Sequence, residues 1–302
     1  MRRTGWTYGA EYELSDWPRD RELPAGGWSL DERDVTMVNS NGIAVDPKGI
    51  SYRFGGEFKA PPCNSPEHLS EMFGELLVAY PEATVNYRSN LHVHIRVPGL
   101  RDDLAMLKRI AFFNWTHLKE LLESRVEPIP RPTTKDYPNQ EEYDGAMRRY
   151  RRRRVSHHTV IPLQRVSHQL EATTVDQFHE FEVPWSHKLK APQWQCQPRQ
   201  AVNLRQLRET DTVEFRHFPG TLNSDELRVA AEWCAAYLEC AMVGGDPKEL
   251  FDDWFHGRRF PTFPPYVHWM EKRYRATVLD GTLPRSTVEQ NIKDILAGRF
   301  PE

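Results

Sequence analysis

The segment TVEFRHFPGTLN, from Thr212 to Asn223, alternates polar and apolar side chains and ends in a Pro-Gly turn. In a β-strand, successive side chains point to opposite faces of the sheet. Glu214 and Arg216 would therefore share one face, and Val213 and Phe215 would share the other. A carboxylate beside an arginine, followed by a turn, predicts a site that handles phosphate or carboxylate groups.

Four further segments have the same period of two: WTYGAEYEL, ISYRFGGEFKAPP, NLHVHIRV and AVNLRQL. Such alternation predicts half-buried strands of an antiparallel sheet with one packed face and one open face. In ISYRFGGEFKAPP, Tyr52, Phe54 and Phe58 would share the packed face. The open face would collect Glu11, Glu13, Glu57, His92, His94, Asn203, Arg205, Glu214 and Arg216.

The many carboxylates on this predicted face would need cations to neutralise their charge. Carboxylates this close together repel each other unless positive charges lie between them. Divalent ions and arginines would neutralise such a face, and Mg²⁺ is commonly bound partly by protein carboxylates and partly by substrate phosphates. An ordinary solvent-facing sheet would explain any one of the five strands, but it explains all five together less well.

Composition limits the class of protein. The chain has 302 residues, 39% hydrophobic and 27% charged, with a net charge of −3. These values predict a packed globular protein without the overall basicity of a nucleic-acid-binding protein. The four cysteines form no CxxC pair, so we expect neither a zinc knuckle nor a disulfide framework, and a cytoplasmic location. We expect no membrane association, because no apolar run approaches the ~20 residues of a membrane span, and no signal peptide, because no apolar stretch follows the MRRTG start.

Helices are predicted after the sheet segments. Ser65 has the properties of an N-cap, with Pro66 as the first helical residue. A second helix is expected from about Arg101 to Ser124, and a third from Ser224 to Val243. We expect a single catalytic domain over residues 1–302, whose part from about 224 to 302 is helical.

The middle of the chain, about 127–195, is predicted to be an inserted loop region. It contains the basic run RRYRRRR, Arg148 to Arg154, and then turns acidic. Such a segment is usually a functional loop, here a lid or a specificity loop. The arginines fit three roles: a solvated helix face, a contact to substrate or phosphate, and a contact to nucleic acid.

The order GAEYEL, GGEFKAPP, NLHVHI and VNLRQLRETDTVEFRHFPGTLN resembles the amidoligase family, which is related to glutamine synthetase and glutamate–cysteine ligase. The resemblance runs from Gly9 to Asn223 and is weak over the middle insertion and the C-terminal part. An ExE or HxH motif alone is weak evidence. Their combination in this order with ExR and GTLN is more specific.

The resemblance implies an α+β fold, with a curved antiparallel sheet and helices on its outer face, like the catalytic domain of glutamine synthetase. ATP and Mg²⁺, or Mn²⁺, would lie on the concave face. The implied reaction is ADP-forming: ATP converts a carboxylate to an acyl phosphate, which an amine then attacks to give an amide. The carboxylate would be a small molecule or a peptide, and a macromolecular substrate, either a protein or a modified nucleic acid, is left open.

The resemblance also implies roles for individual residues. The metal ligands would be Glu11, Glu13, Glu57, His94 and Glu214. The nucleotide would contact His92, His94, Asn203 and Arg216. The residues that act on the reacting groups would be Arg216, Glu57 and Arg205.

Two functions from other classes compete with this reading. An HxH strand with a remote carboxylate also fits a non-haem iron or zinc enzyme, although that reading leaves the ExE and ExR pairs unexplained. A nucleic-acid-associated binding protein would use the Arg148 to Arg154 cluster, and its binding would depend steeply on salt.

Overall fold

The computed structural model describes residues 3–32, 38, 41–45, 49–86, 88–125, 132–153, 169–180 and 201–243. Its strands are β1 Thr7–Ser15, β2 Ser29–Asp31, β3 Ile43–Val45, β4 Ser51–Arg53, β5 Gly55–Lys59, β6 Asn90–Arg96, β7 Val202–Asn203 and β8 Val213–Pro219. Its α-helices are α1 Pro66–Ala79, α2 Leu104–Arg125, α3 Gln140–Arg153, α4 Val175–Glu180, α5 Gln206–Thr210 and α6 Ser224–Val243.

Six strands form one antiparallel sheet in the order β2-β5-β1-β6-β8-β7. The register places Glu11 of β1 opposite Lys59 of β5 on one side and opposite His92 of β6 on the other. His94 of β6 lies opposite Glu214 of β8. The predicted combination of helices with an antiparallel sheet is therefore confirmed, and chain segments far apart in sequence meet on the sheet.

One face of the sheet forms the core, as the alternation predicts. Tyr12, Phe58 and Phe215 are buried on this face with the other apolar strand residues. The ring of Tyr12 stacks on Phe73 of α1, with 4.3 Å between ring centroids. The ring of Phe215 meets Tyr237 of α6 edge to face at 5.7 Å. Helices α1 and α6 therefore cover the apolar face and leave the opposite face to the polar residues.

A β-bulge interrupts the pairing of β6 with β8. Leu91 lies opposite Phe218, whereas Val93 lies opposite Phe215, so β8 contains one residue more than β6 in this interval. A bulge of this kind bends the strand and changes which face the following side chains join. Phe218 is accordingly buried next to Trp233 of α6, at 6.1 Å between ring centroids.

Side-chain hydrogen bonds cap the first turns of helices α1 and α2. The Ser65 hydroxyl accepts a hydrogen bond from the His68 backbone N–H at 3.1 Å, and Pro66 begins α1 as predicted. Helix α2 begins at Leu104, slightly later than expected, because residues Leu100–Asp102 form a 3-10 helix. The Asp103 carboxylate then caps α2 by accepting from the Met106 N–H at 2.9 Å.

The prediction of one continuous strand through ISYRFGGEF is wrong at Phe54. This residue has a φ of 54°, in the left-handed region, and it separates β4 from β5. Strand β4 pairs with β3 in a separate two-stranded sheet, where Tyr52 packs against Val38 and Ala44. Phe54 is 46% exposed, with the Arg19 guanidinium 4.7 Å from its ring centroid. Of the three aromatic residues, only Phe58 lies on the packed face.

The middle region is partly helical, which differs from the predicted loop. Helices α3 and α4 lie within it, and α3 is fixed to the sheet by a buried ion pair between Arg88 and Glu142 at 3.0 Å. Glycine at 145 allows this close approach, since a Cβ there would lie 2.6 Å from the Arg88 guanidinium and would push it aside. The backbone of Arg148–Arg153 is helical, whereas Arg154 and residues 244–302 lie outside the described residues.

Two further expectations concern cysteines and membranes. Cys63, Cys234 and Cys240 are buried and form no disulfide among the described residues, and Cys196 lies outside those residues. Within the described ranges, every helix is too short or too polar to pass through a bilayer.

The core predicts opposite effects for two changes at Tyr12. Its ring is fully packed, but its hydroxyl is buried without a hydrogen-bond partner among the described residues. We expect Tyr12→Ala to lower the free energy of unfolding by about 3–5 kcal/mol, as large aromatic truncations do. Tyr12→Phe should be neutral or stabilising, because it removes an unsatisfied polar group. Urea denaturation measures both, and a large loss for Tyr12→Phe would contradict the hydroxyl's placement.

A second prediction concerns His179 at the end of α4. The ring is buried, and burial, together with the charges of Arg208 and Arg101, lowers the pKa of His179 from 6.5 to about 4. The unfolded chain therefore binds the proton first as the pH falls, so stability is lost between about pH 6.5 and pH 4. Between pH 7.5 and pH 4.5 the wild type should lose about 2 kcal/mol more than His179→Gln. Parallel stability curves for the two proteins would contradict this.

Candidate functional site

The polar face carries a cluster of charged side chains where β5, β1, β6 and β8 lie side by side. Alternation turns these side chains away from the core, and the antiparallel register brings them to the same level of the sheet. The predicted open face is nevertheless largely buried, since Glu57 is 4%, His92 2% and Glu214 0% exposed. The members of the cluster are Glu11, Glu57, Lys59, His92, His94, Glu214 and Arg216.

Glu11 lies at the centre of the cluster. Its Oε2 atom is 3.0 Å from Nδ1 of His92, and its Oε1 atom is 3.5 Å from Nε2 of His94. Burial alone would raise the pKa of Glu11, but the hydrogen bonds and charges of the two histidines outweigh it and lower the pKa. The same contacts raise the pKa of His94 against the effect of burial. Glu11 is thus held ionised although its side chain is only 19% exposed.

Glu57 and Lys59 form the side of the cluster on β5. The Lys59 ammonium is 2.8 Å from Oε1 of Glu57 and 3.5 Å from Oε1 of Glu11. Burial and the negative charge of Glu11 raise the pKa of Glu57, and Lys59 only partly opposes them. For Lys59, burial lowers the pKa, but its contacts with the two carboxylates outweigh this and raise it.

Glu214 forms the side of the cluster on β8. Asn203 of β7 donates from Nδ2 to its Oε2 atom at 2.7 Å, and Arg216 donates to its Oε1 atom. Oε1 also lies 3.8 Å from Nε2 of His94. The other ring nitrogen of His94 is 3.1 Å from the Thr212 hydroxyl, which turns Nε2 towards the carboxylates.

Two groups of side chains in the described residues have the spacing of metal ligands, and they share Glu11. We call them the Glu57 group (Glu11, Glu57 and His92) and the Glu214 group (Glu11, His94 and Glu214), and the ligand atoms within each lie within 4.8 Å of one another. The Nε2 atoms of His92 and His94 are buried without a hydrogen-bond partner among those residues. Carboxylate oxygens suit Mg²⁺ and Mn²⁺, and imidazole suits softer divalent metals. The side chains present therefore fit a divalent cation.

Four predicted site residues lie outside these two groups, and one of them, Arg216, touches the Glu214 group by its hydrogen bond to Glu214. Glu13 accepts hydrogen bonds from the backbone N–H and from Nδ2 of Asn90, both at 2.8 Å, to the same oxygen. Asn203 lies against Glu214 and orients it. Arg205 lies at the start of α5, where its guanidinium pairs with Glu209 of the same helix at 2.8 Å.

Lys59 belongs to the cluster and Thr212 contacts it through His94, and neither was predicted as a site residue. A signal was present for each, because Lys59 follows Glu57 by two residues and Thr212 precedes Glu214 by two. Period two therefore already placed both on the polar face. Lysine and threonine are common on solvated sheet faces, so the pattern alone did not distinguish them from surface residues.

The geometry bears on the two competing functions. Within the described residues, His92 and His94 belong to different ligand groups, each with two carboxylates. An iron site with two histidines and one carboxylate needs both histidines on one metal, so this arrangement does not favour it. The nucleic-acid alternative depends on the side chains of Arg148 to Arg154, which lie outside the described part of the structure.

Comparison with known families agrees with the sequence resemblance. The family described as "Putative amidoligase enzyme" matches residues 26–238, which is more than half of the chain, and the chain belongs to this family. The match includes Glu57, His92, His94 and Glu214. Glu11 precedes it, and strand β1 brings this residue between the matched strands β5 and β6.

Other comparisons are more distant. Among curated proteins, none matches this chain. Among solved structures, a bifunctional glutathione synthetase from Pasteurella multocida is similar, with 13% sequence identity and a TM-score of 0.34. The similarity covers 97% of this chain and 46% of the synthetase, so this chain spans less than half of the synthetase's length.

We predict that Glu13 contributes less to metal binding than Glu11, Glu57 and Glu214 do. We expect Glu11→Gln, Glu57→Gln and Glu214→Gln to weaken Mn²⁺ binding, because each removes a charged ligand from one or both groups. Glu13→Gln should bind Mn²⁺ like the wild type, since the oxygen of Glu13 is engaged by Asn90. Isothermal titration with Mn²⁺ measures this, with melting curves to show that each variant is folded. Loss of Mn²⁺ binding in Glu13→Gln would show that Glu13 is a ligand after all.

Proposed function

We propose that this protein is an ATP-dependent, ADP-forming ligase that joins a carboxylate to an amine. The observation that supports this best is the buried cluster of three carboxylates, two histidines and two cations, in a chain of the amidoligase family. The proposal includes a sheet of the glutamine synthetase type, with ATP on its polar face. It also includes action in the cytoplasm, in line with the expectation from the cysteines.

The chemistry explains why such a cluster is needed. A carboxylate does not form an amide in water unaided, because oxide is too poor a leaving group. In the first step a carboxylate oxygen attacks the γ-phosphorus of ATP, the bond to the β–γ bridging oxygen breaks, and ADP leaves. In the second step the amine nitrogen attacks the acyl carbon, inorganic phosphate leaves with the electron pair, and the nitrogen loses a proton. Both steps concentrate negative charge on phosphate oxygens.

The protein's part is positioning and charge neutralisation, which dominate phosphoryl transfer. Arg216 would stabilise the transferred phosphoryl group, since it lies on the polar face and is a permanent cation. Glu11, His94, Glu214 and Glu57 would hold divalent metal, which when bound neutralises phosphate charge. Asn203 would fix the orientation of Glu214, and it acts on the nucleotide only through that carboxylate. Arg205 would take part only after leaving Glu209.

The substrates are defined here by chemical class. The proposed donor is a small-molecule or peptide carboxylate, and the acceptor is an amine. A protein or a modified nucleic acid could supply either group, and the arginine-bearing helix α3 next to β8 would then be the neighbouring surface.

A screen with pooled carboxylates and amines tests the reaction. ATP, Mg²⁺ and protein are incubated with both pools, with each pool alone, and with neither, and the products are read by mass spectrometry. The proposal requires ADP and inorganic phosphate, and a product with the mass of carboxylate plus amine minus one water, only when both pools are present. AMP and pyrophosphate in place of ADP would indicate an adenylate route and contradict the proposal.

Nucleotide binding gives a prediction that needs no substrate. ATP with Mg²⁺ should raise the melting temperature, whereas ATP with EDTA should not, because the carboxylates repel the bare triphosphate. Binding to the folded state alone adds about 2.7 kcal/mol at a hundredfold excess over the dissociation constant. Arg216→Ala should reduce the shift. Arg96→Ala is the matched control, because Arg96 pairs with Asp211 outside the cluster and is 46% exposed. A shift that is equal with and without Mg²⁺ would contradict the metal dependence.

A further inference from the structure

We propose that the triphosphate chain of ATP lies directly against the backbone of Gly9, and that the absence of a side chain at this position decides whether the nucleotide fits on the polar face. This inference rests on the proposed function, because it concerns the nucleotide of the same site. Gly9 belongs to the GAEYEL segment, but neither the alternation nor the metal-ligand groups give it a role.

Gly9 lies in the middle of the sheet, on the face that carries the charged cluster. Its partner in the β1–β6 ladder is His94, and period two places it on the same face as Glu11. Glycine in the interior of a strand weakens the strand, because it has no side chain to pack and loses much backbone freedom on folding. Such a glycine usually marks a β-bulge, a positive φ, the close approach of another backbone, or a ligand.

The first three of these reasons do not apply to Gly9. The β1–β6 register passes through Gly9 without a shift, and its φ lies outside the left-handed region. Among the described residues, a Cβ at position 9 would meet only Cβ of His94 at 3.8 Å and the carbonyl oxygen of Ala60 at 4.0 Å, which are ordinary contacts. Gly56 of β5 differs, since a Cβ there would lie 3.1 Å from the Trp17 ring. A ligand therefore accounts best for glycine at position 9.

The exposure of the cluster indicates that this ligand is an anion. The side chains of Lys59 and Arg216 are 40% and 24% exposed, whereas those of Glu57 and Glu214 are 5% and 0% exposed. Glu11 lies between these values at 19%. The cations thus form the rim of the cluster, and a group that arrives from solvent meets positive charge first. A guanidinium on such a rim has the donor geometry that binds phosphate.

The sheet order places Gly9 between the two cations of the rim. Strands β1 and β6 lie between β5, which carries Lys59, and β8, which carries Arg216. His94 of β6 borders Gly9, and its Nε2 atom has no hydrogen-bond partner among the described residues. A triphosphate has several anionic groups along its length and can reach both cations, whereas a single carboxylate cannot. Such a chain crosses β1 and β6, and Gly9 lets it come close to the backbone of β1.

Adding a side chain at position 9 tests the inference. In isothermal titration of the full chain, we expect Gly9→Ala to weaken binding of ATP with Mg²⁺ by about tenfold, because the added methyl group overpacks the contact with the phosphates. Gly9→Val should weaken it further. Tripolyphosphate with Mg²⁺, which has neither base nor ribose, should lose the same factor. Gly74→Ala is the matched control, since a Cβ there meets nothing within 4 Å and α1 covers the opposite face of the sheet.

Two further measurements separate a lost contact from a damaged site. Mn²⁺ without nucleotide should bind Gly9→Ala as it binds the wild type, because the metal-ligating side chains are unchanged. The melting temperature without ligand should stay equal or rise, because alanine suits a strand better than glycine does. Weaker Mn²⁺ binding, or a lower melting temperature of Gly9→Ala, would show that the metal site or the fold needs the glycine, and would overturn the inference.

The remaining outcomes distinguish this inference from the proposed function. Unchanged binding of both ligands in Gly9→Ala and Gly9→Val would overturn the role of Gly9 and leave a metal-dependent ligase standing. Weaker ATP binding without any effect on tripolyphosphate, or a wild type that binds ATP but not tripolyphosphate, would assign the contact to the base or the ribose and would also overturn it. A wild type that binds neither ligand would count against the proposed function, and so against both proposals.

Discussion

A partly buried carboxylate that stays ionised is the constraint on which the rest of this molecule depends. Glu11 is surrounded by strands on both sides, and only the contacts with His92, His94 and Lys59 make its charge tolerable there. An isolated charge in such a place would be protonated or would destabilise the fold by several kcal/mol. The three partners come from β5 and β6, so the strand order and the charge pattern require each other.

The two faces of the sheet differ in chemistry: one is apolar and the other is charged. On one face, Tyr12, Phe58 and Phe215 supply the apolar packing against α1 and α6. On the other face, their neighbours in sequence carry the charges. The packed core and the charged cluster thus come from the same strands, and a shift of register by one residue would turn the apolar side chains away from the core and the charged ones into it.

The sequence predicts the site better than its surroundings. Alternation through Glu11, Glu57, His92, His94 and Glu214 depends only on the pleat of a strand, so these side chains meet as expected. The pattern could not show that Glu13 accepts hydrogen bonds from Asn90 or that Arg205 forms an ion pair with Glu209, because the folded structure decides which partners such side chains find. It also failed at Phe54, where a left-handed backbone conformation ends one strand and begins another although the alternation continues. Helix α3 was assigned to a loop region because of its many charges, although Tyr143, Ala146, Met147 and Tyr150 have the spacing of one helix face and a solvated helix face was among the roles considered for the arginines.

The position of β1 in the sheet has a consequence for how the molecule is made. Among the strands of this sheet, β1 comes first in the sequence, yet it lies in the middle of the sheet and pairs with β5 and β6, which follow much later. The contact between Glu11 and His92 joins residues 81 positions apart in the sequence, and the contact between His94 and Thr212 joins residues 118 positions apart. Strand pairing over such sequence separations is slow, because the entropy of closing a long loop is lost before the stabilising contacts form. The cluster therefore forms only after β8 has been synthesised, because a chain that stops before β8 lacks Glu214 and Arg216.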